Sequence, residues 1–204
     1  MDPAGSPPSP TQGVARAPDP RVERSRTVIL SAALEVLGEV GYGGLTVEGV
    51  AARAGVGKST IYRHWCGKLD LVEDAVRTLR AGLVAPAGGS VRERLTGLLR
   101  HMAENMADST WSSCLPAIID AAERDPEVLA IQRRVAWGRR QVLVDLLEEG
   151  VRAGEFPVGT DAGLVAECLI GPIMVRRLLL HEPFDPTAVP ALMDQLLGPL
   201  DPQP

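Results

Sequence analysis

From Arg24 to Leu197 the apolar residues return at three- and four-residue steps, and nowhere do they alternate with polar ones as a half-buried strand would require. This periodicity, cut at intervals by glycine and proline, predicts an all-α chain of about nine helices.

The first helix is expected over 24–40, with Ile29, Ala32, Ala33, Val36, Leu37 and Val40 on one face and Gly41 ending it. Thr46 can cap a short second helix whose inward face is Val47, Val50, Ala51 and Ala54, and Gly55 breaks it. A third, about 58–64, turns Ile61 inward beside Val56 and Trp65. Two short helices joined by a glycine turn form a helix-turn-helix. The fourth is expected from Lys68 to about 82 through Leu71, Val72, Ala75, Val76 and Leu79, before a break at 86–89. Five more follow: 91–107 capped by Ser90, about 114–124 with Pro116 in its opening turn, 126–153, a helix from Thr160 or Asp161 to about 180, and 187–197. The Pro/Ser/Gly-rich residues 1–20 cannot bury enough surface to order themselves. The expected organisation is therefore a tail (1–20), an N-terminal three-helix helix-turn-helix domain (21–70) and a C-terminal helical domain (71–200).

With 204 residues and 45% apolar content the chain can build a core without staples. Cys66, Cys114 and Cys168 are odd in number and far apart, with no CxxC pair and no neighbouring histidines, so neither a disulfide framework, a metal site nor a cofactor is expected. The N-terminus lacks the basic start and apolar run of a secretory signal. The apolar stretch 164–180 is interrupted by Glu167, Pro172, Arg176 and Arg177, which makes bilayer insertion costly. A reduced, cytoplasmic protein with no membrane partner is the expectation.

A net charge of −5 hides an asymmetry. Residues 16–80 carry 10 Lys+Arg against 8 Asp+Glu, whereas 81–204 carry 11 against 17. The chain's two lysines, Lys58 and Lys68, both fall in the short helix-turn-helix segment.

Taken singly, Thr46 reads as a helix cap, Tyr62 as a half-buried aromatic and His64 as a surface imidazole. Their joint spacing reads differently. Thr46 opening helix two, the turn Ala54-Gly55-Val56, and the run Tyr62-Arg63-His64-Trp65 followed by Lys68 resemble the DNA-binding signature of the TetR family. Trp65 stands where phenylalanine is commoner, and Gly57 where serine is frequent. The resemblance implies a homodimeric transcriptional repressor that grips double-stranded operator DNA and releases it on binding a small-molecule effector. Hydroxyls, cations and helix-start N–H groups grip phosphates, and Thr46, Tyr62, Arg63, His64 and Lys68 supply such groups; Arg24 or Arg26 could add another. Base readout falls to Lys58, Ser59 and Thr60 at the start of the recognition helix.

The resemblance also implies an effector pocket within the C-terminal helices and pairing of the last two with a partner subunit. Met102, Met106, Trp111, Cys114, Trp137 and Met174 are the adaptable or aromatic groups expected to line the pocket, with His101, Asn105 and Glu167 as polar candidates. The dimer interface is expected at Leu169, Ile173, Leu192 and Leu196, in a four-helix intersubunit bundle. Catalysis is not expected: Gly55-Val56-Gly57-Lys58-Ser59 ends like a phosphate loop but lacks its first glycine and follows a helix, and neither HExxH nor GxSxG occurs.

Overall fold

The computed structural model describes residues 20–78, 87–107 and 109–199. The expected tail, Leu79 with the end of helix four, and the start of the 86–89 break lie outside the described residues, apart from Pro20. Among the described residues there are nine α-helices and no strand. They are α1 (Pro20–Gly44), α2 (Val47–Ala54), α3 (Lys58–Tyr62), α4 (Lys68–Thr78), α5 (Val91–Ala107), α6 (Thr110–Ala122), α7 (Pro126–Arg152), α8 (Ala162–Val175) and α9 (Val189–Leu197). A π-helical turn (Arg176–Leu180) continues α8, and a 3-10 turn (Pro186–Ala188) leads into α9.

The inward stripe of α1, centred on Ile29, Ala33 and Leu37, packs on α2, α4 and α6, so one apolar core runs from the helix-turn-helix into the C-terminal helices. The ordered path of α1 breaks at Gly41, whose φ of 71° needs a residue without Cβ. Between α1 and α6, Cys114 donates its thiol hydrogen to Leu34 O at 2.9 Å. The turn after α7 returns Glu155 to the start of α5, where its carboxylate accepts from Val91 N and Arg92 N, both at 2.9 Å. A carboxylate there meets the positive end of the helix dipole.

Helix six begins earlier than its sequence suggests. Ser109 caps it by accepting from Ser112 N at 3.2 Å, which puts Pro116 in the helix interior rather than in the first turn. An interior proline leaves the carbonyl four residues back without its N–H partner. That carbonyl is Ser112 O, and Arg177 Nη2 donates to it at 2.7 Å while Arg177 Nε bonds Ser112 Oγ. The guanidinium thereby replaces the lost helix bond and ties the end of α8 to the start of α6.

Arg177→Met should lower stability by about 1–3 kcal/mol, because it strands a part-buried carbonyl. In a Pro116→Ala background, where an N–H is restored, the same change should cost clearly less; chemical denaturation of the four variants measures the difference.

Candidate functional site

The helix-turn-helix is built by local rules. Thr46, in extended conformation, caps α2 by accepting from Gly49 N at 3.0 Å. Gly55 ends α2 with φ 66° and ψ 31°, left-handed values that a glycine adopts at no steric cost. Val56 N then bonds Ala51 O at 3.0 Å, and α3 starts two residues later. Val47, Val50, Ala51, Ile61 and Trp65 bury the inner side of the pair.

The outer side carries most of the residues expected to meet DNA. Thr46, Lys58, Ser59, Tyr62, Arg63 and His64 are exposed and Thr60 is half-buried. Tyr62 leaves 53% of its surface open, more than an aromatic needs for packing alone. Lys58 Nζ lies 3.1 Å from Glu48 Oε1. The Glu48 carboxyl is held below its ordinary range by its own backbone N–H and then by Lys58. Lys68 sits differently, with its ammonium 4.1 Å from the centre of the Tyr42 ring. Burial pulls its pKa below the usual lysine value while Asp125 opposes the shift.

Two arginines at the edge of this surface are committed inside the protein. Arg53 forks onto Glu39 at 2.9 and 2.6 Å and reaches Glu35 at 3.3 Å. Arg26, a candidate phosphate contact by sequence, bonds Asp74 Oδ2 at 2.5 Å, whereas Arg24 stays exposed.

Asp74 is the residue the sequence reading missed here. Besides Arg26 it accepts from the indole Nε1 of buried Trp65 at 2.9 Å. The signal was available: a buried tryptophan in a phenylalanine position brings a donor that must be satisfied, and Asp74 stands on the next helix. Its neighbour Glu73 accepts from Arg134 of α7 at 2.8 Å, so the turn 73–76 of α4 is held from both sides.

On the other side of that turn, Val76 reaches a cavity of about 170 Å³. Met102 and Met106 of α5, Leu115, Ile118 and Ile119 of α6, and Ile170 and Met174 of α8 supply its apolar walls, and Gln132, Val135, Ala136 and Arg139 line it from α7. Three residues expected in the pocket, Met102, Met106 and Met174, therefore meet there. Cys114 does not: it is fully buried against α1, and burial pushes its thiol up to about 11. Trp137 is 59% exposed on the outer face of α7, beneath the guanidinium of Arg140. The Trp111 side chain lies outside the described residues. His101 and Asn105 bond one another at 2.8 Å near the surface, and Glu167 pairs with Arg140 at 2.9 Å. Gln132 and Arg139 were not anticipated; they stand seven residues apart on α7, two turns along one side, the one spacing that flags polar groups on an inward stripe.

The expected interface residues separate into two groups. Leu169 and Ile173 are 0% and 1% exposed, buried inside the protomer because their side of α8 faces α5 and α7, so they are not available to a partner. Leu192 and Leu196 are half-buried. Along α8 and its π-helical turn the open apolar positions are Leu164, Val175, Leu179 and Leu180, with Leu179 72% exposed.

Residues 29–75 match the family described as bacterial regulatory proteins, tetR family, and residues 85–196 match the tetracyclin repressor-like C-terminal domain. The chain belongs to the TetR family. It is 32% identical over 163 residues to the HTH-type transcriptional regulator YdeS of Bacillus subtilis, covering 78% of this chain and 81% of YdeS. A DNA-binding transcriptional repressor TetR of Mycobacteroides abscessus is 30% identical over 183 residues, covering 87% and 94%. A solved TetR family transcription regulator, 29% identical, superposes with a TM-score of 0.67 over 88% of this chain and all of the other. FadR of Bacillus subtilis, solved with stearoyl-CoA, shares the fold at 19% identity with a TM-score of 0.71, covering 86% and 99%. This TetR-family chain is thus a DNA-binding transcriptional regulator, of a family and with relatives that are regulators rather than enzymes. No described helix is long and apolar enough to cross a membrane.

Trp65→Phe keeps the ring but removes the N–H that Asp74 accepts. It should lower stability by about 1 kcal/mol, read as a reduced denaturation midpoint with an unchanged denaturant slope.

Proposed function

We propose that this regulator is a cytoplasmic homodimeric repressor that reads an inverted-repeat operator and leaves it when a small molecule occupies the α4–α8 cavity. The observation that carries the reading is the junction at 73–76 of α4. Val76 lines the cavity, Asp74 holds Trp65 at the end of the recognition helix, and Glu73 is held by α7. A ligand that fits one setting of α4 better than another shifts the population of head orientations, and only such a difference in affinity can do so. The Mycobacteroides abscessus relative, named a repressor, supports the repressive mode.

Lys58, Ser59 and Thr60 read bases in the major groove, and Thr46, Tyr62, Arg63, His64 and Lys68 hold phosphates. Lys68 keeps its head on the Tyr42 ring, so its role is a fixed charge at the α4 start rather than a mobile finger. Dimerisation uses the outer stripe of α8. Leu164, Cys168, Gly171, Val175 and Leu179 follow at steps of four, three, four and four, all exposed or half-buried, and Leu192 and Leu196 of α9 flank them. An apolar stripe of this kind on a charged protein asks for a cover, and a second copy supplies one with two-fold symmetry. The paired heads then sit roughly 34 Å apart, one turn of duplex.

Three outcomes are expected. Leu164→Glu combined with Leu179→Glu should give monomers by light scattering and lose operator binding while keeping helical content. Lys68→Ala should weaken binding across sequences and flatten its salt dependence, whereas Lys58→Ala should mainly relax base preference in selection from random duplexes. Glu48→Gln, which frees Lys58 and removes a carboxylate from the DNA side, should raise operator affinity several-fold in a fluorescence anisotropy titration. Binding that none of these changes alters would refute the assignment of this surface.

A further inference from the structure

Three residues join the inner cavity to the surface. Gln132, Ala136 and Ile170 line the space of about 170 Å³ and also border an open groove of about 400 Å³ between α7 and α8, which gives a ligand a route inward. Ten of the twelve residues around the cavity are apolar and none is acidic, and Met102, Met106 and Met174 give it walls that adapt to shape. The polar exceptions are Gln132 and Arg139. Arg139 is already engaged within the protein, whereas the Gln132 amide has no hydrogen-bond partner among the described residues.

The geometry points to an uncharged single-ring molecule with one small hydrogen-bonding group, of the size of benzyl alcohol, as the ligand of this cavity, its ring among the methionines and its polar group on Gln132. This rests on the reading of the cavity as the effector site. Size sets the first limit. A cavity of about 150 Å³ with apolar walls accommodates benzene, so about 170 Å³ takes one ring and a small substituent but no long chain. Charge sets the second. An ion that enters apolar walls gives up its hydration, and only a counter-charge placed to receive it offsets that loss. No carboxylate lines the cavity to receive a cation, and an anion would have to compete for an arginine that is already engaged. A hydroxyl or carbonyl is far less costly to bury, and the Gln132 amide, which both donates and accepts, satisfies either.

The test is calorimetric titration of the full-length protein at neutral pH with benzyl alcohol, toluene, benzoate and benzylammonium, probes of similar size that differ in charge and polarity. Benzyl alcohol should bind one per protomer, about ten-fold or more tighter than either ion. Gln132→Leu should weaken benzyl alcohol by about three- to ten-fold without weakening toluene. Ile119→Trp, which fills the cavity, should abolish binding of both neutral probes. The inference is overturned by an ion that binds as tightly as benzyl alcohol, by no benzyl alcohol binding at millimolar concentration, by undiminished binding in Ile119→Trp, or by a Gln132→Leu protein that keeps the two neutral probes in the same ratio. Should Ile119→Trp not fold, the ranking of the probes on the unaltered protein together with Gln132→Leu decides. Benzyl alcohol that binds as expected yet leaves operator affinity unchanged would leave the ligand assignment standing and refute effector release.

Discussion

A single turn of α4, from Glu73 to Val76, joins everything this molecule has to coordinate. Its acidic side chains face opposite elements: Glu73 is held by Arg134 of α7 and Arg77 of its own helix, and Asp74 by Arg26 of α1 and Trp65 beyond α3. Its apolar members Ala75 and Val76 are buried. A surface ion pair alone is worth little, but Asp74 is only 14% exposed and accepts two donors from two elements, so it fixes direction as well as energy. The recognition helix therefore cannot turn relative to α4 without giving up a part-buried hydrogen bond.

Among the described residues α1 and α6 form the most extensive helix pair, and apolar contact of this kind carries no directional preference of its own. Directional bonds at its margins supply the register. Glu155 onto the start of α5 and Arg177 onto the carbonyl freed by Pro116 each satisfy a backbone group that the helix itself leaves over, and Cys114 adds a bond onto Leu34 O within α1. The Arg177 bond also explains why α6 tolerates a proline in its interior.

Helix periodicity made the order of elements legible, and caps made several of their limits so. Asp125-Pro126 and Thr46 mark helix starts in the structure as they do in the sequence. Pro116 outweighs Ser109 as a local start signal, and nothing local announces that an arginine sixty-one residues later repairs the proline's gap. Facing was harder than periodicity. Helix eight is apolar nearly all round, so sequence alone could not say which side meets its own protomer; Leu169 and Ile173 go inward and Leu164 and Leu179 outward because α5 and α7 occupy one side. Of the candidate pocket groups, the three methionines were legible as gap-fillers on converging helices. Cys114 turns to α1 instead, and Trp137 lies outside the α4–α8 cavity, in an open groove with Arg140 and Glu167: residue type indicates what a side chain can line, not which neighbour its helix turns it toward.

Charge accounting leads from one head to two. Among the described residues Arg53 and Arg26 are bound to carboxylates and Lys58 shares Glu48, so part of a single head's positive charge is already neutralised before it can replace counterions on DNA. Affinity from phosphate contacts grows with the number of counterions released, and a small number gives weak binding that physiological salt largely removes. In the proposed dimer, joining two such heads through the α8 stripe would make the second engagement intramolecular, which multiplies affinity without adding a contact to either. The proposed control would follow from the same geometry: when each head alone is weak, a modest change in their separation, transmitted through α4, would forfeit the gain from joining them without a large rearrangement.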